Sequence, residues 1–140
     1  MTPFDAHVFF EAYRLAVLNR DVEGLLALYD KDIQAFDVWE AWSLLGEGEW
    51  REMNRDWLGS LGSESVVVEF EEIRTFQGGD TAGASAFGTF KAVSEAGEIL
   101  RSMQNRLTWV AARKDDGWKI VHQHTSVPID SKTLKAILHR

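Results

Sequence analysis

Residues 115–128 read Asp115-Asp116-Gly117-Trp118-Lys119-Ile120-Val121-His122-Gln123-His124-Thr125-Ser126-Val127-Pro128. An Asp-Gly pair is a strong hairpin signal, because the glycine takes the positive φ that a tight turn demands. Beyond it, Trp118, Ile120, His122, His124 and Ser126 recur with period two. That spacing predicts a strand over residues 118–126, with those five side chains on one face. Pro128 cannot donate to a sheet ladder and ends it. Upstream, residues 99–113 are long enough for a strand crossing a curved sheet, and residues 114–117 form the loop between the two.

Working further outward, Ala96-Gly97 and Gly78-Gly79-Asp80 are turns. Residues 82–93 lie between them and predict another strand, with Gly83 and Gly88 allowing bends or bulges. From Ser65 onward Val66-Val67-Val68-Glu69-Phe70 is β-branched and aromatic, so it too reads as a strand. The N-terminal half has helical period instead. Phe9, Phe10, Tyr13, Ala16 and Val17 make one apolar face of a helix over residues 4–19. Asp21 caps a second helix, with Leu25, Leu28 and Tyr29 on its inner face. Residues 33–38 predict a short strand and residues 49–61 a third helix, where Trp50, Met53 and Trp57 recur at three and four residues. Residues 131–139 predict a short terminal helix with Leu134, Ile137 and Leu138 on its apolar side. Helices come first and antiparallel meander strands after, which makes the class α+β.

The chain has 140 residues, one domain over 1–140. It has no cysteine, which rules out disulfides, thiol catalysis and cysteine-ligated metals. Fifteen Lys and Arg against 22 Asp and Glu leave a net charge of −7, which argues against nucleic acid or an anionic membrane as partner. The N-terminus lacks a signal-peptide pattern, and no apolar run reaches transmembrane length. A cytoplasmic location is expected. Four of the six tryptophans, Trp39, Trp42, Trp50 and Trp57, fall within nineteen residues. Tryptophan occupies cores, interfaces and pocket walls.

Arg106-Leu107-Thr108 followed by the stretch from Asp115 to Pro128 resembles the signature of SnoaL-like domains in the NTF2-like superfamily. The W-x-x-V-H-x-H-x-S run is also similar to the association domain of calcium/calmodulin-dependent kinases. The resemblance implies a cone-shaped fold, a strongly curved antiparallel sheet wrapped over the N-terminal helices, with a pocket between them. It also implies a homodimer joined through the open faces of the sheets. This fold hosts isomerases, cyclases, dehydratases, epoxide hydrolases and non-enzymatic binders, so it does not choose an activity.

Asp37 follows Phe36 at the end of the first predicted strand. In the steroid-isomerase branch that the chain resembles, an acid near this place abstracts a proton next to a carbonyl. A carboxylate walled by Trp39 and Trp42 would have a raised pKa suited to a general base. The alternative is an Asp that bonds loop amides. His122 and His124 share a face with Trp118 and Ile120, which predicts that both extend into the pocket as acid or oxyanion donor. They could equally be a buried, hydrogen-bonded pair. A metal held by both with Asp37 is the third reading, and no metal or other cofactor is expected.

Arg106 and Thr108 lie on the neighbouring strand, and the hairpin register decides their face. If Ala112 pairs with Trp118, Arg106 lies opposite His124. If Arg113 pairs with Trp118, Leu107 takes that place and Arg106 faces away. Apolar matching favours the second, and the resemblance favours the first, because related pockets use an arginine to hold carboxylates. Arg106, Thr108, Trp39, Trp42 and Trp57 are the candidate ligand-binding residues. Two functions stand. One is an acid–base isomerase, cyclase or dehydratase acting on a small apolar carbonyl compound. The other is a non-catalytic dimeric module holding a small organic acid.

Overall fold

The computed structural model describes residues 2–140. Helix α1 spans Ala6–Leu18 and begins at Asp5, whose carboxylate accepts the Val8 N–H at 3.2 Å. This satisfies one of the amides that a helix start leaves unpaired. Its inner face buries Ala6, Phe10, Tyr13, Ala16 and Val17, as the spacing predicts. Helix α2, Val22–Leu26, is capped by Asp21 through the Gly24 N–H at 2.9 Å. It stops before Tyr29, which opens strand β1, Tyr29–Phe36, instead of extending the helix. A two-residue strand β2, Leu44–Leu45, leads into helix α3, Gly46–Gly59. Glu49 Oε1 accepts the Leu45 N–H at 2.9 Å, a side chain reaching back to close the helix start.

The remaining strands are β3 (Ser65–Gly78), β4 (Thr81–Val93), β5 (Ile99–Lys114) and β6 (Gly117–Ser126). One six-stranded sheet has the order β2-β1-β6-β5-β4-β3. The antiparallel meander expected from sequence covers β3 to β6. The first long strand departs from it, because β1 lies parallel to β6. Parallel pairing requires a long connection, and here most of the chain lies between the partners.

The core sits between the helices and the inner face of the sheet. Phe10 stacks on Trp109 at 4.2 Å and 17°, and Val17, Leu25, Ile33 and Ile120 are fully buried around them. Among the described residues, no helix is long and apolar enough to cross a membrane.

Residues 131–139 do not form the predicted helix. Asp130 Oδ1 accepts the Lys132 and Thr133 N–H groups at 2.8 and 3.0 Å, a local turn that competes with helix nucleation. Leu134 then takes φ +60°, and Ile129 bridges to Ala136. The segment doubles back rather than coiling.

The hairpin register begins as the second alternative. Arg113 pairs with Trp118 and Ala111 with Ile120. Then the register shifts, and Val110 pairs with His122. Val121 is the extra residue of a β-bulge, which turns every later side chain of β6 to the opposite face. Gln123 and Thr125 are therefore buried on the inner face, and His124 is exposed on the outer one. Thr108 lies opposite His124, an outcome that neither simple register contains.

Candidate functional site

A cavity of about 740 Å³ opens between α1, α3 and the inner face of the sheet. Its walls are mainly apolar: Trp50, Met53 and Trp57 from α3, and Phe90, Met103 and Val66 from the sheet. Of the residues singled out in the sequence, Asp37, Trp39 and Trp57 line it. Trp39 is half exposed at the rim.

The others require correction. Trp42 is 97% exposed and lies outside the wall, because the loop after β1 turns its indole to solvent. The Val121 bulge turns His122 and His124 to the outer face, and Arg106 and Thr108 lie on that face because they alternate with the buried Leu107 and Trp109 along β5. There Phe36 meets the His122 and His124 rings edge-on at 5.0 and 5.5 Å, and Arg106 Nε donates to Ser126 Oγ at 3.0 Å. Burial, and then the His124 charge, push the His122 pKa down. The histidines cannot serve a ligand inside. Nor can they share a metal with Asp37, which lies on the cavity side of the sheet. Among the described residues, no group of three His, Asp or Glu side chains converges on one point.

Asp37 follows the last residue of β1, so its carboxyl hangs at the cavity edge. Its Oδ2 accepts the Trp39 N–H at 3.2 Å, and its Oδ1 accepts the Thr125 hydroxyl at 3.2 Å. Thr125 Oγ1 in turn accepts the Val38 N–H at 2.9 Å. Burial raises the Asp37 pKa above the ordinary carboxylate value, and the two hydrogen bonds offset only part of that. The loop-amide reading and the perturbed-carboxylate reading are thus both true of the same group.

Four residues bring further polar atoms to the cavity. Gln123 Oε1 accepts from the Tyr29 hydroxyl and from Trp109 Nε1, the latter at 2.8 Å. Two donors on the oxygen leave the amide NH₂ as the cavity-facing end. Tyr13 is buried, and its hydroxyl has no hydrogen-bond partner among the described residues. Desolvation, and then the Asp37 charge, push its phenol pKa up, so it stays a neutral donor. Asn105 Oδ1 and Trp50 Nε1 are buried and unpartnered, an arrangement that native proteins rarely leave without a ligand or water to bond. Gly88 makes room for Asn105, since a Cβ there would sit 2.9 Å from Asn105 Oδ1.

Sequence reading placed Tyr13 among the apolar residues of a helix face. Its signal was available: a hydroxyl in the middle of an apolar stripe needs a partner. Gln123 and Thr125 gave no such signal, because they alternate with histidines that look more chemical.

The profile of the SnoaL-like domain family matches residues 7–130. The chain belongs to that family. Among solved structures, this SnoaL-like domain is similar to an NTF2-like protein of unknown function from Pseudomonas putida KT2440. The identity is 26%, over 95% of this chain and 91% of that one, with a TM-score of 0.83. It also resembles an NTF2-like protein with a cystatin-like fold from Novosphingobium aromaticivorans, at 18% identity over 92% and 83% of the chains, TM-score 0.75. A third is a domain from Xanthomonas campestris provisionally described as a calcium/calmodulin dependent protein kinase II association domain. It shares 16% identity over 86% and 84% of the chains, TM-score 0.73. The last two likenesses speak for the fold alone. No curated protein matches the chain. Family and cavity together make this SnoaL-like protein a small-molecule-binding domain.

Proposed function

We propose that the cavity takes a small, neutral, largely apolar carbonyl compound and that Asp37 moves a proton next to its carbonyl. The observation that carries this reading is the pairing of a desolvated carboxylate with an unpartnered hydroxyl in one apolar cavity. A base abstracts a proton well when its pKa lies near the working pH, and burial moves Asp37 in that direction. The negative charge that develops on the carbonyl oxygen needs donors that are already oriented. Tyr13 and the Gln123 NH₂ supply them, in place of the histidines expected from sequence. An isomerisation, cyclisation or dehydration would use the same parts. The organic-acid alternative loses its cation. Arg106 is outside, and the arginine at the cavity, Arg101, is paired with Glu64 at 2.7 Å.

The test is exchange of α-hydrogens for deuterium in β-tetralone, followed by NMR in D₂O. The protein is expected to accelerate exchange, and Tyr13→Phe to slow it by roughly a hundredfold or more, the cost of one oxyanion donor. Stability should barely move, because the Tyr13 hydroxyl bonds nothing in the fold. Exchange at the uncatalysed rate with wild-type protein across a panel of such ketones would remove the acid–base reading and leave a binding module.

The proposal also takes two copies of the chain, joined through the outer sheet face. Phe36, His122 and Val110 are half-buried there with no layer above them, which supports the reading. Sedimentation is expected to give twice the chain mass, and a monomer at micromolar concentration would contradict it.

A further inference from the structure

Residues 131–140 lie beyond the span that the family profile matches. They occupy a particular place in the fold. β6 covers β5 only as far as the Arg106–Ser126 pair, so the β5 edge from Ile99 to Asn105 has no strand beside it. Such an edge exposes backbone donors and acceptors. The chain returns to fill it. The Gln104 N–H donates to the Leu138 carbonyl at 2.7 Å, and the Arg140 N–H donates to Gln104 Oε1 at 2.7 Å. Ser102 Oγ and His139 Nε2 lie 3.3 Å apart.

This return puts Leu138 into the cavity wall, near Ser102 and Met103. The end of the segment reaches the other side of the sheet. Arg140 pairs with Glu72 at 2.6 Å and lies over the Phe87 ring at 3.9 Å. Glu72 has φ +53° within the irregular stretch of β3 between Glu71 and Arg74, so a local bulge aims the carboxylate at the arginine.

Little holds the segment down. The Arg140–Glu72 pair is about half exposed, and exposed pairs contribute little. Leu134 and Ile137 point to solvent. Leu134 also sits in the left-handed region, which disfavours a leucine, at the tip of the loop where the segment reverses. A stretch with few buried apolar groups opens at low cost.

We infer that residues 131–140 are a strap that closes the cavity over its ligand, opens to exchange it, and through Leu138 sets the length of ligand that fits. The inference rests on the small-molecule reading of the cavity. The strap acts as the last piece of wall. Neutral aromatic ketones enter past it, and their far end meets Leu138.

The chain has no cysteine, so Ser102→Cys with His139→Cys leaves one pair of thiols, on β5 and on the strap. The far end of the imidazole makes the native contact, so a methanediyl bis-methanethiosulfonate, released by reduction, is used to bridge the shorter cysteines. The probe is Prodan, a neutral naphthalene ketone, followed by stopped-flow fluorescence. Bridged protein is expected to bind and release Prodan about tenfold more slowly than the same protein reduced, as locked lids do. Equal rates in the two states would overturn the strap. Leu138→Ala is expected to shift preference severalfold from Prodan toward Laurdan, which carries a longer acyl chain. An unchanged preference would overturn the role of Leu138. If Prodan binds no form of the protein, the cavity reading itself fails, a result distinct from failure of the strap.

Discussion

Asp37→Asn is expected to lose proton transfer on a bound ketone by roughly a hundred- to ten-thousandfold, the usual contribution of a positioned base. The same variant is expected to be as stable as the parent at neutral pH, or more so. The carbonyl of an asparagine can still accept the Trp39 N–H, and its NH₂ can donate to Thr125 Oγ1, so the local bonds survive. What disappears is the cost of an ionised carboxylate in a partly dry site. The sign follows from the raised pKa. A carboxyl whose pKa is higher folded than unfolded favours the fold while protonated, and that contribution is lost as pH rises through its folded value. The melting-temperature gap between Asp37→Asn and wild type should therefore open in favour of the variant as pH climbs from the ordinary carboxylate range past the raised midpoint. Wild-type activity should rise through that same midpoint, since the base works ionised. A variant that loses stability and activity together would make Asp37 a structural residue.

Trp109→Ala is expected to cost about 3–5 kcal/mol, the range for truncating a buried large aromatic. Trp109 is fully buried, stacks on Phe10 at 4.2 Å and donates to Gln123 Oε1 at 2.8 Å. Its removal leaves a cavity between α1 and the sheet and leaves Gln123 Oε1 with the Tyr29 hydroxyl as its one donor. Domains of this size have only about 5–15 kcal/mol in total, so the variant should be marginal. Urea unfolding followed by circular dichroism reads this as a large fall in midpoint at similar slope. Trp42→Ala is the contrast. Its indole is 97% exposed, and the change should stay within about 0.5 kcal/mol. Similar losses at the two sites would contradict the packing described above.

The contrast between these tryptophans shows how far composition carries. A cluster at residues 39–57 marks the cavity region. Trp50 and Trp57 share the inner face of α3, as helical spacing predicts, and that face forms part of the cavity wall. Spacing has no hold on Trp42, because a loop has no period to assign a face.

The sequence alone determined the kinds of element and most of their order. Helical period placed α1 and α3, period two placed the strands, and Asp115-Asp116-Gly117 placed the last hairpin. Those signals are local, carried by neighbours within a few residues. It also placed Asp37 at the end of a strand, where a carboxyl can face an opening. Only the tertiary structure decided which face each side chain of β6 presents. Residues 122–125 are polar on both sides of the strand, so no hydrophobic pattern distinguishes His122 and His124 from Gln123 and Thr125. A single bulge at Val121 then settles the matter, because period two assigns faces only relative to a neighbour and one extra residue inverts them all. The same holds for the tail. Leu134, Ile137 and Leu138 have a helical spacing, yet the unpaired edge of β5 offered its backbone bonds first, and an edge exists only once the sheet has folded.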